Sequence, residues 1–203
     1  MRKRSAALLL GAVLVGLVPL AAQGRLSKED AARFQSKLIK IVEFGNAPAR
    51  AANPAQPRTT PVSDAELNSY LRYLAADQIP VGIVEPVLNA VGEGRVTGRA
   101  IVDLDAVRKQ KQRGWLDPVG YLSGRMPVNA AGRLITKDGK GQFQLESADI
   151  SGVAVPKAVL QELVSYYSRT PENPAGINMD APFELPARIR EIRVGTGAST
   201  IVQ

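Results

Sequence analysis

Two stretches of alternating residues constrain this chain more than any other feature. In the first, Val96, Gly98, Ala100, Val102 and Leu104 take turns with Thr97, Arg99, Ile101 and Asp103. In the second, between Tyr121 and Ser147, the alternation runs through Leu122, Gly124, Met126, Val128, Ala130 and Leu134, then Phe143 and Leu145. A period of two sends successive side chains to opposite faces of a strand. Glycine turns fold both stretches back: Gly92-Glu93-Gly94 follows Val84 to Val91, and Lys137-Asp138-Gly139-Lys140-Gly141 divides the second. The sequence therefore predicts two long antiparallel hairpins, each apolar on one face. Ile101 sits among the polar members and predicts local cover on both sides of its strand.

Helical signals flank the hairpins. Ser63-Asp64-Ala65-Glu66 is a capping box, and Leu67, Tyr70, Leu71 and Leu74 follow it at helical spacing. After Pro156, the residues Val159, Leu160, Leu163, Val164 and Tyr167 share a second helical face, which ends before Pro171 and Pro174. A strand pair closes the chain, with Ile189, Ile192 and Val194 on one side of Gly195-Thr196-Gly197 and Ile201 on the other. Paired strands separated by helices predict an α+β fold: a curled antiparallel sheet of long hairpins packed around two amphipathic helices.

The N-terminal region reads differently. Arg2, Lys3 and Arg4 precede an apolar run from Ala6 to Leu20, and Ala21, Ala22 and Gly24 offer cleavage points. Residues 1–22 are expected to be a secretory signal peptide, since an apolar run of about 15 residues is short against the ~20 of a spanning helix. Its loss removes three cations and no acid, so the net charge falls from +7 to +4. That balance does not call for nucleic acid. Residues 23–44 follow as an amphipathic helix, with a Ser27 cap and an apolar stripe of Phe34, Leu38, Ile41 and Val42. Residues 45–62 contain Pro48, Pro54, Pro57 and Pro61 with no apolar period, and read as an Ala/Pro-rich linker. The domain proper spans 63–203, and the helix over 28–44 is expected to be a loosely attached arm, free to dock a protein partner.

Composition narrows the chemistry. The chain has no Cys and no His, which excludes thiolate nucleophiles, disulfides, zinc fingers and histidine-based acid/base work. Asp103 and Asp105 are spaced to share one side of a strand. They read as strand-end caps rather than as a Ca²⁺ site or a hydrolytic pair. Gly92-x-Gly94-x-x-x-Gly98 joins two strands at the wrong spacing for a dinucleotide fingerprint. The sequence calls for no catalytic residue, no metal and no cofactor.

The run from Asp64-Ala65-Glu66-Leu67-Asn68-Ser69-Tyr70-Leu71 through the hairpins to Gly152-Val153-Ala154-Val155-Pro156-Lys157-Ala158-Val159-Leu160, closed by Ile189-x-x-Ile192-x-Val194, resembles a known pattern. It is similar to the exported bacterial lipid-binding proteins of the LmeA-like and YpmS-like families, relatives of the tubular lipid-binding (TULIP) superfamily. The resemblance covers about 63–203 and implies a curled sheet around helices, an elongated apolar cavity for acyl chains, and no catalytic residues.

On the residues alone, two readings of the interior stay open. Leu67, Leu71, Leu160, Leu163 and Val164 on the helices, with Val102 and Val128 on the strands, either close a dry core or line a ligand cavity. Small strand residues such as Gly98, Ala100 and Ala130 fill space poorly and favour the cavity. The basic run Arg108, Lys109, Lys111 and Arg113, followed by Trp115, reads either as a solvated loop or as a contact for an anionic membrane surface. The expectation is an exported envelope protein, in the periplasm or cell envelope, binding a lipid or apolar molecule. The alternative is a structural or interaction module with a dry core.

Overall fold

The computed structural model describes residues 25–48, 57–110, 123–169 and 173–203. The expected signal peptide, residues 49–56 of the expected linker, and Lys111, Arg113 and Trp115 lie outside the described residues.

Helix α1 spans Lys28–Asn46 and begins where the Ser27 hydroxyl accepts the Asp30 N–H at 3.0 Å. Helix α2 spans Asp64–Tyr73, and both halves of its capping box form: Ser63 accepts from the Glu66 N–H, and Glu66 accepts from the Ser63 N–H. The two helices pack together. The Phe34 and Tyr70 rings meet edge-on with centroids 5.1 Å apart, and Ala31, Phe34 and Ile41 are buried. Ser69 is fully buried, and its hydroxyl accepts the Ser27 N–H at 3.1 Å. Lys37 reaches across to Glu66 with Nζ–O distances of 2.7 and 2.8 Å. The expected loose arm is therefore a docked helix, because its apolar stripe finds cover on α2.

A second departure lies in the expected linker. Strand β1, Thr59–Ser63, pairs antiparallel with the last strand, from Thr59 opposite Val202 to Ser63 opposite Ala198. Pro61 is tolerated because β1 is an edge strand with a free side. The helix before the linker also runs two residues further than expected, to Asn46. Numbering the later strands in chain order, β8 is Glu191–Val194 and β9 is Ala198–Val202, and the small sheet has the order β1-β9-β8. Val62, Ile189, Val194 and Val202 are buried around it. The C-terminal Gln203 side chain donates to the Ile41 and Ala187 carbonyls at 2.9 and 2.7 Å, tying α1 to the chain end. Helices α1 and α2 and this small sheet form one sealed unit, called the hub below.

The two predicted hairpins make the large sheet. Strands β2 (Ile83–Gly92), β3 (Arg95–Asp103), β4 (Arg125–Lys137), β5 (Lys140–Ile150) and β6 (Val153–Ala154) lie in that order, all antiparallel. Short β7, Phe183–Glu184, also pairs with β5. Glu93-Gly94 and Asp138-Gly139 turn the hairpins with positive φ at all four residues, as tight hairpin turns require. Leu104, expected as the last alternating strand residue, instead opens α3 (Leu104–Gln110) and is buried. Helix α4 spans Lys157–Tyr167. The fold is α+β, dominated by antiparallel hairpins.

The hub grips the large sheet along one edge and at its turns. On the free edge of β2, Asn68 donates to the Leu88 carbonyl at 2.7 Å and accepts the Leu88 N–H at 2.8 Å. Asp64 accepts the Ala90 N–H at 3.0 Å, and the Gly197 N–H donates to the Ala90 carbonyl at 2.8 Å. These contacts satisfy backbone groups that an edge strand otherwise offers to other chains. Thr136 of β4 exchanges hydrogen bonds with the Ile192 backbone, and Gly139 donates to the Arg190 carbonyl. Helix α2 thus meets the sheet at β2, while α4 meets it at β5. The opposite end of β3 leads into α3, away from the hub.

Candidate functional site

The register of the large sheet sorts its side chains into two chemically distinct faces. On one face, Leu88, Gly98, Ala130 and Ala148 form a row across four strands, followed by Ala100, Val128 and Ile150, with Val102 opposite Met126 beyond them. Leu88 lies over Gly98: a Cβ added there would come within 3.3 Å of its side chain. This face is apolar yet unsealed. Val96, Ala100, Val102, Met126, Val128, Ala130, Leu134 and Leu145 are all half-buried, and Leu88 is 41% exposed.

Of the predicted cavity residues, Val102 and Val128 lie on this face. Leu67 and Leu71 are half-buried on α2, at the β2 edge. The fully buried positions of α2 are instead Glu66, Asn68 and Ser69, which serve α1 and the strand edge. Leu160, Leu163 and Val164 are half-buried on α4, beside β5. None of the seven belongs to the buried core. The two helices stand at different strands, so the structure does not bring all seven together.

The opposite face carries the polar members of the alternation and an open groove of about 470 Å³. Its floor is two register rows. Val87, Arg99, Asn129, Asp149 and Ala154 form one, and Asn89, Thr97, Ala131 and Ser147 the other. Asn129 donates to Asp149 Oδ1 at 3.0 Å, and the same oxygen accepts the Gly152 N–H at 3.0 Å. None of the predicted cavity residues lines this groove. Alternation places Thr97 and Arg99 among the polar members of their strand; only the pairing register reveals that the groove residues converge.

The remaining candidates fall out clearly. Asp103 Oδ1 accepts the Ala106 N–H at 2.9 Å, and its other oxygen pairs with Arg125 at 3.1 Å. The backbone hydrogen bond from Ala106, then Arg125, holds its carboxyl below the ordinary value. Asp105 accepts the Gly124 N–H at 3.0 Å. Both carboxylates therefore close the strand end, as the capping reading expects. Among the described residues no group of three or more acidic side chains is placed to hold a metal ion. Arg108 and Lys109 lie in α3, where Lys109 is exposed. In the stripe expected to meet a partner, Phe34 and Ile41 are buried inside the hub; Val42, with its neighbour Ile39, stays exposed.

No protein-family model matches the chain, and no curated protein matches it. Among solved structures it is similar to a lipopolysaccharide binding protein, with 15% sequence identity and a TM-score of 0.22. That likeness covers 71% of this chain and 40% of the other, so the chain spans less than half the length of that protein. An overlap this slight carries no argument about ligand or mechanism. The functional reading rests on the two faces themselves.

Proposed function

We propose that this is an exported bacterial envelope protein that binds a lipid or other apolar molecule, without catalysis, against the apolar face of its large sheet. One observation carries the reading. Among the described residues, the long row of aligned apolar side chains on the large sheet stays half-exposed, while the buried core gathers mainly in the hub. A contiguous apolar surface left open is a binding surface by default. Its small residues, Gly98, Ala100 and Ala130, leave room for a guest's chain, and each CH₂ removed from water contributes about 0.8 kcal/mol. The signal-like start and the absence of Cys support export to an envelope compartment. Exposed Lys109 of α3 stands at the end of the sheet away from the hub, and the basic composition of its segment suits an anionic membrane surface.

The test is native mass spectrometry, with solvent extraction, of protein purified without detergent. Bound lipid in stoichiometric amount is the expected result. A strictly ligand-free protein with no lipid-exchange activity overturns the proposal. A second reading, an interaction module, is favoured by Ile39 and Val42, two apolar side chains exposed on the outer face of α1. Replacing both with Asp should abolish capture of a partner while leaving the hub folded; unchanged capture removes this reading.

A further inference from the structure

The polar groove has a charge pattern that the apolar-face proposal does not use. Four arginines project from β3 and β4, and three are ion-paired: Arg95 and Arg133 with Glu146, and Arg125 with Asp103. Arg99 is the exception. It stands in the groove floor with no carboxylate partner among the described residues. In the adjacent row, the side chains of Asn89 and Thr97 near Arg99, and of Ser147 near Asp149, also have no hydrogen-bond partner among the described residues. Two strands from Arg99 in its own row, ~10 Å at ordinary strand spacing, Asp149 has one oxygen engaged by Asn129 and Gly152.

The groove thus offers a cation at one side, an anion two strands away, and neutral hydrogen-bonding groups in the row beside them. A guanidinium without a carboxylate is a strong site for phosphate, because its fork donates two parallel hydrogen bonds. The geometry points to a binding site for a phosphodiester group bearing an amine, of the glycerophosphoethanolamine type. Arg99 holds the phosphate, Thr97, Asn89 and Ser147 bond its oxygens and hydroxyls, and Asp149 faces the ammonium. The volume of about 470 Å³ lies within the ~300–1,000 Å³ usual for small-molecule sites. This site is on the opposite face from the proposed apolar surface, and each stands or falls without the other.

The experiment is calorimetric titration of the full chain with glycerophosphoethanolamine and, separately, glycerophosphoglycerol. Wild type should bind both saturably and prefer the amine-bearing compound. Arg99→Gln should weaken binding at least about tenfold, the scale of one charge-assisted contact. Asp149→Asn, which keeps an oxygen for the Gly152 N–H, should erase the preference. Arg95→Gln should bind as wild type does. Absence of saturable binding, an Arg99→Gln affinity equal to wild type, or an equal loss in Arg95→Gln would overturn the inference. Flotation with phosphatidylethanolamine vesicles separates the sources: Arg99-dependent flotation identifies a lipid headgroup, and binding of the free compound alone identifies a soluble phosphodiester.

Discussion

The hub and the large sheet solve the same problem with opposite economy. In the hub, α1, α2 and the small sheet bury Phe34, Ile41, Val62, Val194 and Val202, and its enclosed polar side chains find partners apart from Gln203 Oε1, which has none among the described residues. The large sheet has the longer strands and the more regular alternation. Its β3–β4 pairing is unbroken and the flanking pairings carry only local bulges, yet the side chains on both faces remain half-open. Stability is thus concentrated in the hub, and the open faces of the large sheet lie where burial contributes least. An unsealed sheet persists because its edge is held by the hub.

That contrast is open to attack by mutation. The largest effect is expected from Phe34→Ala, which empties a buried aromatic site and should cost about 3–5 kcal/mol, read as a lowered urea midpoint for the whole molecule. A loss below 1 kcal/mol would show that α1 is not part of the core. Next comes the seam. Asn68→Ala strands the N–H and C=O of Leu88 and should cost about 2 kcal/mol, with accelerated hydrogen exchange at the Leu88 amide and unchanged exchange in mid-β4.

Within the hub, acid should act through Glu66. Burial of Glu66 raises its pKa, but the hydrogen bonds from Lys37 and Ser63 outweigh burial and leave it below the ordinary value of 4.5. A lowered folded-state value means the Lys37–Glu66 contribution is complete above that ordinary value. It is lost as pH falls through the folded one. Unfolding free energies from urea titration at pH 7 and pH 3 should therefore differ more for wild type than for Glu66→Gln, by about 1 kcal/mol. Equal pH dependence would remove Glu66 from the account. The smallest effect belongs to the sheet. Val128→Ala, at a half-exposed site, should cost under about 1 kcal/mol; a loss matching that of Phe34→Ala would erase the distinction between the two regions.

Much of this contrast was legible in the chain and part was not. The alternation from Val96 and from Met126 located both hairpins, and the capping box located the start of α2, because these signals are local. The docking of α1 was not legible. Its partners on α2 include Ser69 and Glu66, polar residues that hydropathy assigns to the surface and only tertiary hydrogen bonds draw inside. Strand β1 was hidden by Pro61, which ladder chemistry forbids in a central strand but permits at an edge. The apolar pair Val102 and Val128 could be placed on one face from period alone. The groove could not, since Arg99, Asn129 and Asp149 become neighbours only once the register of three strands is fixed.

The central claim is that the open apolar face of the large sheet, and not the hub, receives an apolar guest. Photocrosslinking with a diazirine-bearing fatty acid, followed by peptide mapping, tests it directly. The account predicts saturable labelling of β3 and β4 around Ala100, Val102, Val128 and Ala130, competed by unlabelled fatty acid and lost in Val128→Asp. Labelling confined to hub peptides, or labelling that neither saturates nor responds to competitor, would contradict it.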